Sequence, residues 1–151
     1  MRIKDFLGKE CIKLDLVETE KQKHIGEMVK ILADAGKIPK DKVKKITEKL
    51  MERENMGSTG IGEGVGIPHI KLNYVDTIVG ALGVSKKGVD FDSLDGNPVY
   101  ISFLLLTPEE ARNEHLKALS EISLFLKDKY YRDELRAMKD DKQAYKLIKK
   151  I

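Results

Sequence analysis

Cysteine is nearly absent, with one residue, Cys11, in a chain of 151. That excludes an internal disulfide framework and fits a reducing cytoplasm. Cys11 falls in the strand-like stretch CIKLDL and reads as a small, semi-buried side chain. Long apolar runs are missing too. A membrane span takes about 18 or more consecutive apolar residues, and the densest run, VYISFLLL, is far shorter. The opening MRIKDFLGKE holds no apolar core of a secretory signal. The expectation is a cytoplasmic chain with no membrane insertion. Neither sign of charge dominates, since 28 basic and 25 acidic residues leave +3. The densest basic stretch, KIPKDKVKKITEK, is interrupted by Asp41 and Glu48 and holds no arginine or aromatic to read bases. It reads as a solvated helix face, or as a docking patch for an acidic protein, and no nucleic-acid partner is expected. There is no HExxH motif and no His-x-His pair. His69 and His115 alone fall short of the three protein ligands of catalytic zinc, so no metal is expected.

What remains is a chain 41% hydrophobic and 35% charged, which reads as one soluble domain over residues 1–151. TEKQKHIGEMVKILADAG carries Ile25, Met28, Val29, Leu32 and Ala33 at helical spacing and stops at Gly36. His24, among charges in this helix, reads as solvated. PKDKVKKITEKLMEREN opens with Pro39 at a helix-start position and turns Val43, Ile46, Leu50 and Met51 inward. The period then changes. TIVGALGV (77–84) and VYISFLLL (99–106) suit strands covered on both faces, with SLDGNP as a turn cluster between them. After the second run, Thr107 is a possible helix cap, with Pro108 at the first helical position and Glu110 closing a capping box; Asn113 is a second possible start. His115, Leu119, Ile122 and Leu126 then share a face. YYRDELRAMK and DKQAYKLIKKI are further amphipathic segments. Buried strands with helices before and after them point to an α/β layered domain.

Between the second helix and the first long strand lies GSTGIGEGVGIPHIK, residues 57–71, with five of the chain's glycines. A phosphate-binding P-loop needs Gly-Lys-Ser/Thr, and Gly57-Ser58-Thr59-Gly60 has no lysine. The dinucleotide fingerprint needs glycines at the first, third and sixth positions after a strand. Counting from Gly60 or Gly62, the sixth position is Val65 or Ile67, and the preceding segment is helical. A histidine that is itself phosphorylated fits better. Its imidazole must be neutral to act as nucleophile, and the phosphoryl oxygens need donors and positive charge around them. Ser58 and Thr59 offer hydroxyls, Gly60 and its neighbours offer amides, Arg53 lies just ahead, and His115 follows the central strand. Pro68 fixes its own φ and restricts Ile67, which helps present His69. Ser58 and Thr59 have an equally good reading as local turn-formers.

RENMGSTGIGEGVGIPH, with LLLTPEEARNEHLKALSEIS downstream, closely resembles enzyme IIA of the bacterial phosphotransferase system, fructose–mannitol type, which includes the free-standing nitrogen-regulatory enzyme IIA. The likeness extends through GVDFDSLDGNPV and FLKDKYYRDELRAMKD, essentially the whole chain. The resemblance implies a three-layer α/β/α sandwich with a mixed β-sheet flanked by helices. It implies that His69 accepts a phosphoryl group from an HPr-type carrier, with Arg53 as charge partner and His115 as the supporting histidine. Asn113 stands where the family often has a polar neighbour. No cofactor is implied. Downstream, the family offers an enzyme IIB in sugar uptake or a regulated protein, with the regulatory branch preferred; a binding module that has lost phosphorylation is the alternative of another class. Ile70 and Lys71 depart from the family's usual glycine and arginine, and Gly66 from its usual alanine, which bears on the partner more than on the chemistry.

Overall fold

A computed structural model describes residues 1–151. The first strand, β1 (Ile12–Leu16), follows a short 3-10 turn that contains Cys11. Cys11 is fully buried, and burial pushes its thiol up to about 11. Helix α1 (Lys21–Asp34) begins at Glu20, whose carboxylate accepts from the amides of Gln22 and Lys23. Its expected apolar stripe is buried, and the chain leaves it through Gly36 at φ 74°. Helix α2 (Val43–Met56) starts later than the proline suggested, because Lys40–Lys42 forms a 3-10 turn after Pro39.

The glycine segment is not a loop. It folds into β2 (Gly60–Gly62), β3 (Val65–Gly66) and β4 (His69–Leu72), with β2 and β3 antiparallel across a turn at Glu63 and Gly64. Both turn residues have positive φ, 58° and 76°, as tight hairpin turns require. Two of its glycines answer to the chain's own side chains. A Cβ on Gly60 would lie 2.2 Å from Ser93 Oγ, and one on Gly66 would lie 3.0 Å from the Phe91 ring. The guest that comes close to this backbone is the 91–93 segment.

Two long strands, β5 (Val79–Val89) and β6 (Val99–Pro108), run antiparallel at the centre of the sheet. β1 pairs parallel with β5, while β3 and β4 both pair parallel with β6 along the same edge, giving the order β1-β5-β6-β3-β2. The sheet is therefore mixed, as expected. Helices α1 and α2 pack together on one side, with Met28 of α1 against Gly83 of β5. Helices α3 (Arg112–Lys127), α4 (Lys129–Ala137) and α5 (Asp141–Lys150) complete the fold, α3 and α4 against β6 and α5 against β1. One continuous apolar cluster joins strands and helices.

Two sequence expectations need correction. Neither Thr107 nor Asn113 caps α3. The helix starts after Ala111 with no side-chain cap, because Thr107 and Pro108 are held in β6 by pairing with Lys71 and Leu72 of β4. Ladder hydrogen bonds outweigh a local capping box there. His24 is not solvated either. It is 1% exposed, with Nε2 2.7 Å from Ser102 Oγ of β6 and its ring edge-on to Phe91. It sits four residues before Met28 and beside Ile25, on the buried stripe, and flanking lysines disguised that position.

Candidate functional site

Strand β4 and helix α3 bring two imidazoles together beside β6. His69 is the first residue of β4, opposite Leu105, and two residues further on Lys71 stands opposite Thr107. Before it the chain breaks its pairing at Ile67–Pro68, where Leu105 N donates to Pro68 O at 2.9 Å. His69 Nδ1 lies 2.6 Å from Ile67 O. A carbonyl only accepts, so Nδ1 carries the proton and Nε2 keeps its lone pair. His115 comes from the first turn of α3, its Nδ1 2.8 Å from Thr107 Oγ1, and the two rings lie 5.6 Å apart at 47°. The only buried side-chain nitrogen or oxygen atoms without a partner are His24 Nδ1 and Ser93 Oγ. The Nε2 atoms of His69 and His115, which also lack partners, are therefore open to solvent.

Both rings are neutral at pH 7. Burial holds His69 below the usual imidazole range; the Ile67 hydrogen bond opposes this, Arg53 adds to it and Glu54 opposes it. Burial, with His69 and Lys71 adding to it, pushes His115 down to about 4. Arg53 is on the last turn of α2, where Nη1 donates to Gly57 O at 2.7 Å. It forms no ion pair. The neighbouring Glu54 is buried and bound instead to Lys21, Nζ to Oε2 2.8 Å. The guanidinium thus keeps an uncompensated charge close enough to His69 to influence it.

The structure brings His69, His115 and Arg53 to one place and gives the other expected residues different tasks. Ser58 Oγ donates to Phe91 O and accepts from Gly60 N at 3.0 Å. Thr59 donates both its amide, at 3.1 Å, and its hydroxyl to Glu54. Ser58, Thr59 and Gly60 are therefore engaged internally, with the buried Glu54 carboxylate of α2 and the Phe91 carbonyl beyond β5 taking the hydroxyls. Asn113 is exposed on the first turn of α3. That turn, which carries His115, has no side-chain cap, so its first amides are not bonded by a capping side chain. Thr107, Glu54 and Lys21 were missed. Thr107 carried a signal for a cap, and nothing local to Lys21 or Glu54 marks either as interior.

Met56, three residues after Arg53, and Leu116, next to His115 in sequence, are both strongly exposed. No three His, Cys, Asp or Glu side chains cluster so as to hold a metal. No helix is long and apolar enough to cross a membrane.

A family model described as "Phosphoenolpyruvate-dependent sugar phosphotransferase system, EIIA 2" matches residues 5–151. The chain is 36% identical to a nitrogen regulatory protein of Bradyrhizobium diazoefficiens over 98% of its length and 95% of that protein's. It is 43% identical to the fructose-specific EIIABC component of Bacillus subtilis over 90% of its length, but spans only 20% of that protein. Among solved structures, nitrogen regulatory protein IIA-Ntr of Neisseria meningitidis superposes with a TM-score of 0.87 at 32% identity, covering 97% of this chain and 98% of that one.

Proposed function

The chain belongs to the phosphotransferase-system EIIA 2 family, and from that premise we propose that it is a phosphoryl carrier whose acceptor atom is Nε2 of His69. The observation that carries the reading is the bond from His69 Nδ1 to Ile67 O at 2.6 Å, which leaves a neutral nucleophilic nitrogen at the solvent-facing side of the ring. The donor is the phosphohistidine of an HPr-type carrier protein. In the transfer, the P–N bond of the donor breaks and its electron pair returns to the donor imidazole. A new bond forms from the His69 Nε2 lone pair to phosphorus. The His69 Nδ1 proton stays in place, and the positive charge gained by the ring is stabilised through the Ile67 carbonyl. In this reading Arg53 supplies positive charge and the His115 ring a polar neighbour for the phosphoryl oxygens, which the transfer needs. The exposed apolar side chains of Met56 and Leu116, close in sequence to Arg53 and His115, are the contacts offered to the carrier protein.

The site acts within one domain of a cytoplasmic protein, and the output is regulatory, with phosphorylation changing which protein is bound. Support comes from the nitrogen regulatory relatives, matched over nearly their whole length. A second reading, transfer onward to an enzyme IIB for sugar uptake, is favoured by the higher identity to the fructose-specific component. The deciding experiment is incubation with phosphoenolpyruvate, enzyme I and HPr-type carriers, followed by intact-mass measurement. One acid-labile phosphoryl group on wild type and none on His69→Ala is the expected result. Wild type that stays unmodified, while a control acceptor is phosphorylated, would establish a binding module instead.

A further inference from the structure

The two site histidines bond through the same ring atom, Nδ1, to partners of different kinds. Ile67 O accepts only, whereas Thr107 Oγ1 can donate or accept. Thr107 is wholly buried, and His115 Nδ1 is the one hydrogen-bond partner of its hydroxyl. If Nδ1 of His115 carried the proton, the hydroxyl would accept it and its own hydrogen would be left buried with nothing to bond. Leaving a buried donor in that condition costs more than a typical hydrogen bond gains. The satisfied arrangement is the reverse one, with the threonine donating and Nδ1 accepting. That places the proton of the neutral ring on Nε2.

We propose that Thr107 is a positioning residue that holds His115 in its Nε2–H tautomer, so that an uncharged imidazole donates a hydrogen bond to the phosphoryl group on His69. The inference rests on the proposed role of His69. The two rings are then complementary. His69 presents a lone pair at Nε2 and His115 presents an N–H at Nε2, with ring centres 5.6 Å apart and both atoms open to solvent. A donor without charge suits a site beside Arg53 and Lys71, because a third cation there would be repelled. It also explains why Thr107 belongs to the strand. Its pairing opposite Lys71 fixes the backbone from which the hydroxyl reaches α3.

The test measures His115 nitrogen shifts by long-range 1H–15N NMR at pH 7 and the rate of phosphoryl transfer, in wild type, Thr107→Val and Thr107→Ser. Wild type should show a protonated Nε2 and an unprotonated Nδ1 at His115, and the opposite pattern at His69. Thr107→Val should populate the other His115 tautomer and slow transfer by about tenfold, the worth of one hydrogen bond. Thr107→Ser should keep both the shifts and the rate. A wild-type His115 protonated on Nδ1 would overturn the proposal, as would a folded Thr107→Val that transfers at the wild-type rate. If Thr107→Val does not fold, the wild-type shifts and Thr107→Ala decide. Absence of phosphorylation in wild type would defeat the acceptor role of His69, while the NMR spectrum would still report the tautomer separately.

Discussion

Acidification should unfold this protein through its buried imidazoles, and His24 isolates the effect. Burial pushes both His24 and His115 from the ordinary 6.5 to about 4, with Glu27 opposing the shift at His24. The folded state therefore binds fewer protons than the unfolded state between these limits. Stability is fully present above the unfolded value, falls as pH drops through it, and levels off below the folded value. From pH 7 to pH 5 each histidine should cost about 2 kcal/mol, and the two together about 4 kcal/mol, with His69 acting in the same direction. Carboxylates titrate over part of this range, so the comparison with His24→Gln is decisive. Glutamine can still reach Ser102 but does not titrate. In urea titrations followed by circular dichroism, the stability difference between wild type and His24→Gln should change by about 2 kcal/mol between pH 7 and pH 5. Parallel curves over that interval would refute the assignment of a neutral, buried His24.

Two more perturbations probe the support of the site. Glu54→Ala strips a buried carboxylate from Lys21 and Thr59; it should destabilise by about 3–5 kcal/mol in urea unfolding, as loss of one partner of a buried pair does, with Glu54→Gln milder. Arg53→Gln removes a cation that lowers His69, so the His69 midpoint in an NMR titration should rise, and phosphoryl transfer should fall by about tenfold or more.

Much of this fold follows from periodicity. The α1 stripe, the second long strand and the closing helices lie where spacing put them, because burial and helical or strand geometry act through the same residues, whereas β5 begins at Val79 and runs past the expected end at 84 to Val89, through the exposed Lys86 and Lys87. The His69–His115–Arg53 grouping was also legible, though through motif resemblance, since nothing local to residue 69 forecasts a ring 46 positions away. The failures share a cause. Thr107 matches a capping box, but cross-strand pairing with a segment 36 residues earlier claims it. Glu54 and His24 sit among charged neighbours, and only tertiary contacts with Lys21, Thr59 and Ser102 show that both are interior. The glycine run likewise made sense only once Phe91 and Ser93 were seen against it. Long-range partners of polar residues leave no periodic trace.

The gap in sheet pairing at Ile67–Pro68 has a bearing on how this site tolerates change. Pairing with β6 stops at Gly66 and resumes at His69, so the Ile67 carbonyl is free to turn back to the imidazole that follows it. The proton on His69 Nδ1 is thus governed by main chain, which every amino acid possesses. At position 67 the side chain answers only to the core, and other apolar residues of similar size can replace isoleucine while His69 keeps its tautomer. Position 68 has less latitude, since proline fixes its own φ and restricts residue 67, and so helps set the direction of that carbonyl. Robustness and fragility in the chemistry of His69 therefore lie on adjacent residues.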